Sequence, residues 1–464
     1  MVRRKGRRQN SHCRGLKDLA APRACFAAAA FGRAAAALSW AVILPSGALA
    51  APPSAPLPYQ STDRHLGVAS CASSVCHGAV QPPTHPGPLM NEFVTWSHQD
   101  SHAKAFQSLL GPQGRSIAAK LNVGPAESAK ICLDCHADNV PEARRAKTFL
   151  LADGIGCEAC HGGAERWISS HASSRSNYRQ NIRDGMYPTA DLNDRAALCL
   201  SCHYGTSDKF ATHAIMAAGH PRLSFELDAF LALEPAHYRI DDNYRRRKPS
   251  FTDTQVWSRG QLLATQAELL ALQGPMITVS HTFPELALFN CASCHDTSMH
   301  RLEWRARQLT GDMRPGTVPI NDANLRMSWM IARTLSDVDG ARIQNLAQAL
   351  QQSVAGDPRQ IAAASTQLRS ALSEILAKVG DDRATLRARA LLDNILQAGT
   401  EGEYRDYLGA EQAVMGIDLL MNETKTAGTS KVQLDELYRL LKSDETYRSA
   451  DFIAALKALR DGLK

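Results

Sequence analysis

Apolar positions in the last third of the chain recur every three or four residues. Leu368, Leu372, Ile375, Leu376 and Val379 form one such row, the spacing that gathers side chains on one face of an α-helix. Leu386, Leu391 or Leu392 and Ile395 repeat it more loosely, Val432, Leu434, Leu437, Leu440 and Leu441 open a third stretch, and Phe452, Leu456, Leu459 and Leu463 a fourth. Turn-forming residues separate the rows at Gly356-Asp357-Pro358, Gly380-Asp381-Asp382, Gly399 to Gly402 and Ala427-Gly428-Thr429. Residues 310–464 are therefore predicted to form a helical bundle or array whose stripes pack as core. Residues 65–309 carry few long periodic runs, which suits short helices and loops. The fold class expected is mostly α, with little regular sheet.

A different apolar stretch runs from Phe31 to Leu44, behind a basic start and ahead of Ala48-Leu49-Ala50 and Ala51-Pro52. That order reads as a secretory signal over residues 1–50, with the mature chain beginning near Ala51 and residues 51–64 as a linker. The rival reading is an uncleaved anchor, but Arg33 and Pro45 leave too short an apolar run for a comfortable span. Export predicts a periplasmic protein, with membrane association as a second option.

Cysteine and histidine change the picture most. Cys132-Leu133-Asp134-Cys135-His136, Cys157-Glu158-Ala159-Cys160-His161, Cys199-Leu200-Ser201-Cys202-His203 and Cys291-Ala292-Ser293-Cys294-His295 each place a histidine directly after a C-x-x-C pair. A fifth motif, Cys71-Ala72-Ser73-Ser74-Val75-Cys76-His77, has four residues between its cysteines. In this arrangement each cysteine forms a thioether to one haem vinyl group and the adjacent histidine reaches the iron. Zinc sites use C-x-x-C pairs without that fixed histidine. Five covalently attached haems c are expected, held by Cys71, Cys76, Cys132, Cys135, Cys157, Cys160, Cys199, Cys202, Cys291 and Cys294, with His77, His136, His161, His203 and His295 on iron. At Cys71 the alternative is a disulfide or two free thiols. Of the 12 cysteines, the two outside the motifs, Cys13 and Cys25, fall in the signal segment.

Charge points away from nucleic acid. Nine of the 52 basic residues but one of the 46 acidic residues lie in residues 1–50, leaving 43 against 45 in the mature chain, and haem propionates add further negative charge. Residues 310–464 contain neither cysteine nor histidine, so the chain divides into a haem domain over 65–309 and a haem-free helical domain over 310–464.

Iron that only carries electrons keeps both axial positions filled, so histidines outside the motifs bear directly on function. Ten lie in the haem region: His65, His85, His98, His102, His171, His213, His220, His237, His281 and His300. His98 and His102 are one turn apart and share a face if their segment is helical. His213 and His220 bracket an apolar turn, while His171 follows one motif by ten residues and His281 precedes another by ten. For any one of them, a plain hydrogen bond to propionate or backbone is the competing role. The short gap between His136 and Cys157 allows two haems in near contact.

Taken together, Trp96 to Phe106 with Asp100-Ser101-His102-Ala103, Gly156 to Trp167, His213 through Gly219-His220-Pro221-Arg222-Leu223-Ser224-Phe225-Glu226-Leu227, and Phe283-Pro284-Glu285 resemble the multihaem cytochromes related to the tetrahaem electron acceptor of hydroxylamine oxidoreductase, the cytochrome c-554-like family. The resemblance spans residues 65 to 310. It implies a periplasmic, mostly helical electron-transfer cytochrome with closely stacked haem pairs and distal ligation by His102, His171, His213, His220 and His281. Many relatives place a second histidine after the last motif where this chain has Asp296, with His300 as a substitute.

Electron transfer between redox partner proteins through mostly bis-histidine haems is the leading expectation. Its rival is a multihaem oxidoreductase acting on a small nitrogen or sulfur compound at one five-coordinate haem. Pentahaem nitrite reductases replace one motif histidine by lysine, and no C-x-x-C-K occurs here. Hydroxylamine-oxidising enzymes carry more haems than five. In a third reading the helical half anchors the haem module to a membrane quinol complex.

Overall fold

The computed structural model describes residues 55–84, 87–173, 176–278, 284–295, 307–313, 316–380 and 386–463. Residues 1–50, read from the sequence as a secretory signal, and His85, His281, Asp296 and His300 lie outside these residues. The described chain is mostly helical, and its only β pairings are isolated bridges such as His65 with Arg145 and Phe289 with Ile320. No described helix is long and apolar enough to cross a membrane.

Eleven short helices come first: α1 (Glu92–Gln99), α2 (Ala105–Leu109), α3 (Pro112–Leu121), α4 (Lys130–His136), α5 (Cys157–His161), α6 (Ile168–His171), α7 (Tyr178–Arg183), α8 (Leu192–His203), α9 (His213–Ala217), α10 (Leu227–Leu233) and α11 (Asp242–Arg247). Their ends are written locally. Pro112 opens α3, where a missing N–H costs nothing, and Asn122 closes it with φ 54°. Asp191 caps α8 by accepting from the N–H groups of Asn193 and Asp194. The apolar clusters here are small. One joins Leu109, Ala118, Ala126, Leu133 and Ala137 across α2 to α4, and another joins Leu192, Ala196, Leu200, Phe225, Leu227 and Ala264.

The long helix α12 (Asp253–Ala271) begins at a capping box between Thr252 and Gln255. After it come α13 (Pro275–Thr278), α14 (Ala292–His295), α15 (Ala323–Leu335), α16 (Asp337–Ser353), α17 (Pro358–Val379), α18 (Ala388–Thr400), α19 (Tyr407–Glu423), α20 (Lys431–Leu440) and α21 (Ser449–Gly462). The rows read from the pattern are buried where the helices meet, at Leu368, Leu372, Ile375, Leu376, Val379, Leu391, Leu392, Ile395, Leu434, Leu437, Phe452, Leu456 and Leu459. Val432 instead faces solvent.

This core reaches back across the expected boundary at residue 310. Trp257, Leu262 and Leu269 of α12 belong to it, and α12 packs against α15, α17 and α19 as well as against α8 and α10. Close approach is possible because Gly416 on α19 has no side chain: a Cβ there would sit 2.7 Å from Cζ2 of Trp257. At the other end of the bundle Arg326, fully buried, pairs with Asp322 and with Asp406 at 2.6 Å. Arg307 reaches the same Asp406 at 3.1 Å, which ties the segment following the haem region to α15 and α19.

Candidate functional site

Three of the regular motifs are each the last turn of a helix that stops at its histidine, α4 at His136, α5 at His161 and α8 at His203, and the fourth lies on α14. Cysteines three apart then lie on one helical face, and the chain leaves the helix directly behind the histidine. Ala137 is extended at φ −147° and ψ 164°, and Gly162 takes φ 81°, a value that suits glycine. The wide motif reaches a similar end by turning. His77 N–H donates to the Cys71 carbonyl at 3.2 Å and Cys76 N–H to Ser73 at 2.8 Å, which takes up the two extra residues.

Every motif histidine faces one histidine from outside the motifs. Ring centroids are 6.0 Å apart for His77 and His171, 6.1 Å for His203 and His102, 6.3 Å for His136 and His220, 6.5 Å for His161 and His237, and 6.1 Å for His295 and His213. Two metal–imidazole bonds of about 2 Å each, added to the two ring radii, span roughly 6 Å. The donor set thus fits a metal held between two imidazoles, five times over. The chemistry of the cysteines beside one ring of each pair fits a haem carrying that metal.

The remaining ring nitrogens are largely engaged elsewhere. Nδ1 of His77 lies 2.9 Å from Glu92, Nδ1 of His102 2.9 Å from Asp100, Nδ1 of His136 3.1 Å from the Ala105 carbonyl, and Nδ1 of His220 2.7 Å from the Pro221 carbonyl. The Asn181 amide is 3.1 Å from Nδ1 of His171. Engaging Nδ1 fixes the ring and leaves Nε2 for a metal. Desolvation lowers the pKa of His136, His171 and His203, and with the neighbouring His237 and Lys248 takes half-buried His161 down to about 3. These rings are neutral at pH 7, the form that binds metal. His77 and His102 are shifted upward instead, by their hydrogen bonds to Glu92 and Asp100.

His102, His171, His213 and His220 thus each meet a motif histidine, while His281 lies outside the described residues. His237, which carried no local signal beyond being a histidine, is brought to His161. His65 is fully buried, bound through Nδ1 to Asp138 at 2.7 Å and set edge-on to Phe149, away from the pairs. The shared helical face expected for His98 and His102 does not form. α1 ends at Gln99, and extended Asp100 caps the following turn by accepting from His102 N–H, leaving His98 exposed.

Motifs distant in sequence also touch. The side chain of Cys157 meets Cys71, and that of Cys135 meets Cys202. Residues between Ala137 and Gly156 fold into their own loop, closed by Asp138 N–H to the Gly154 carbonyl and bridged to His65 through Arg144 and Ala146. That bridge brings the N-terminal segment to α5. Buried Glu158, inside the second regular motif, fixes it there by accepting from the N–H groups of Leu66 at 2.7 Å, Gly67 at 2.6 Å and Ala164 at 2.7 Å. A carboxylate inside a C-x-x-C motif was the signal for this anchor.

Residues 67–162, which hold three of the five motifs, are similar to the family described as Cytochrome c554 and c-prime. No curated protein and no solved structure matches the chain.

Proposed function

We propose that the protein, whose residues 67–162 match the cytochrome c554 and c-prime family, is an electron carrier with five covalently attached haems c, each held by two histidines. The observation that carries this reading is the set of five histidine pairs, one for each motif histidine. Haem supplies one-electron exchange at an iron whose axial positions are both filled, which keeps reorganisation small. The chain's own residues attach and orient: the cysteine pairs on their helical faces anchor, the ten histidines ligate, and Glu92, Asp100, Ala105, Asn181 and Pro221 hold the rings. The pairing favours the carrier over an oxidoreductase working at an open iron, because each motif histidine has a partner. Export after cleavage near Ala51 makes the periplasm the proposed location, with redox proteins as partners.

Mass spectrometry of the purified protein, together with electronic and electron paramagnetic resonance spectra of its oxidised form, tests the reading. Five haem additions and only low-spin iron are expected. High-spin iron that binds cyanide rapidly would overturn the carrier assignment, and fewer than five additions would remove the Cys71 site.

A further inference from the structure

We infer that the surface formed by residues 233–248 docks an acidic redox protein. The inference rests on the proposed electron-carrier function. Residues 237–248 read His-Tyr-Arg-Ile-Asp-Asp-Asn-Tyr-Arg-Arg-Arg-Lys, with five cations against two carboxylates. Asp241 caps α11 by accepting from Tyr244 N–H at 2.7 Å, Asp242 faces Arg245 at 3.4 Å, and the third carboxylate of the surface, Glu234, lies 3.7 Å from Nδ1 of His237, so residues 233–248 hold five cations against three carboxylates. An excess of positive charge is thus concentrated in one short segment of a chain whose residues 51–464 carry 43 basic and 45 acidic side chains. Arg239, Arg245, Arg246 and Arg247 are all exposed.

Among these charges stand apolar groups open to solvent, Leu233 at 79 %, Ile240 at 48 % and Tyr238 at 38 % exposure. The platform is braced. Tyr238 stacks on Tyr244 at 5.9 Å, Arg195 lies 5.8 Å over Tyr238, and Lys248 sits 5.1 Å from the rings of both Tyr178 and Tyr244. A pre-ordered surface loses little entropy on binding.

Its position gives the surface a use. His237 belongs to the same loop, its side chain is 32 % exposed, and its ring is paired with His161. One of the five proposed iron sites is therefore approached through this loop. Electron-transfer encounters use small interfaces, below about 1,200 Å², and rely on opposite charge for rate and orientation. A segment that carries exposed arginines together with exposed apolar side chains selects a partner whose docking face carries carboxylates. An anionic lipid surface is a different occupant, but it calls for an amphipathic helix with an apolar face. In α11 the only large apolar ring, Tyr244, is buried.

The test uses the haem-loaded protein and a dithionite-reduced acidic ferredoxin as probe. The ferredoxin iron–sulfur centre gives up one electron and a haem iron gains it, followed by stopped-flow absorbance. For the unmodified protein the second-order rate constant should fall steeply as salt rises. The R245E/R246E/R247E variant should react about tenfold or more slowly at low salt, with a flattened salt dependence. A control, K442E/K457E, reverses two exposed charges on the C-terminal half and should leave the rate nearly unchanged. An unchanged rate in the triple variant, or an equal loss in the control, would overturn the docking surface. So would binding to phosphatidylglycerol vesicles that the triple variant abolishes while its ferredoxin rate stays intact. High-spin iron in the oxidised spectrum would instead count against the histidine pairing and is read separately from these rates.

Discussion

Nδ1 of His77 donates to the Glu92 carboxylate, and Nδ1 of His102 to Asp100, each at 2.9 Å. A carboxylate in that position makes an imidazole a stronger donor to metal and favours the more positive, oxidised iron. Glu92→Gln keeps the size and an acceptor oxygen but removes the charge. One haem is then expected to rise in midpoint potential by on the order of 60 mV, a tenfold change for a one-electron couple. A potentiometric titration with low-temperature spectra should show that shift in one centre and little change in the others; five unmoved potentials would release Glu92 from this role. Asp100 could be read from the sequence as a near neighbour of His102, whereas Glu92 could not be linked to His77, since a loop separates them. The same limit applies to the pairs. The motif histidines announce themselves, but each partner lies across a long stretch of chain, and loop closure costs grow so slowly with length that spacing cannot rank the choices. His237 was therefore visible only as one histidine among ten.

At the scale of elements, the C-terminal rows were legible because one apolar face per helix is buried and the other is wet. α12 was not, for a physical reason. Its buried positions include Thr254, Ser258, Gln261, Thr265 and Glu268, so burial does not follow hydropathy. Three of these groups find partners across the helix contacts: Thr254 donates to Glu423, Gln261 donates to Gln412 at 2.8 Å and accepts from Asn324 at 3.0 Å, and Thr265 meets Ser328 at 2.9 Å. Such a helix looks unremarkable in sequence yet lies at the centre of the bundle. Its contact with α19 turns on Gly416, where a Cβ would come within 2.7 Å of Trp257. Gly416→Val must push α19 outward or displace the indole, at a cost of about 1–3 kcal/mol. Urea denaturation followed by far-ultraviolet circular dichroism should show a lower midpoint, with Gly416→Ala intermediate. Wild-type stability in the valine variant would mean that the two helices can separate freely.

For the whole molecule, the consequence is that the half carrying the cysteine–histidine motifs and the half without cysteine or histidine share one core and do not part at residue 310. Composition suggested that boundary because cysteine and histidine stop before it, but composition records where haem ligands are, not where a core ends. Trp257, Leu262 and Leu269 lie N-terminal to the boundary and are buried among residues C-terminal to it, such as Trp329, Leu372 and Ile417. Removing residues 310–464 would strip that cover and expose Trp257, Leu262 and Leu269 together with the buried polar groups of α12, surface of the kind that drives association. The same helix packs against α8, whose last turn carries Cys199, Cys202 and His203. Loss of the bundle therefore loosens the support of a proposed haem as well as solubility. Residues 51–309 expressed alone should aggregate on size-exclusion chromatography, and any soluble fraction should show altered spectra for one low-spin centre. A monomeric fragment with the full set of unperturbed haem signals would show instead that the N-terminal half closes its own core, and that the bundle contributes nothing to the haem sites.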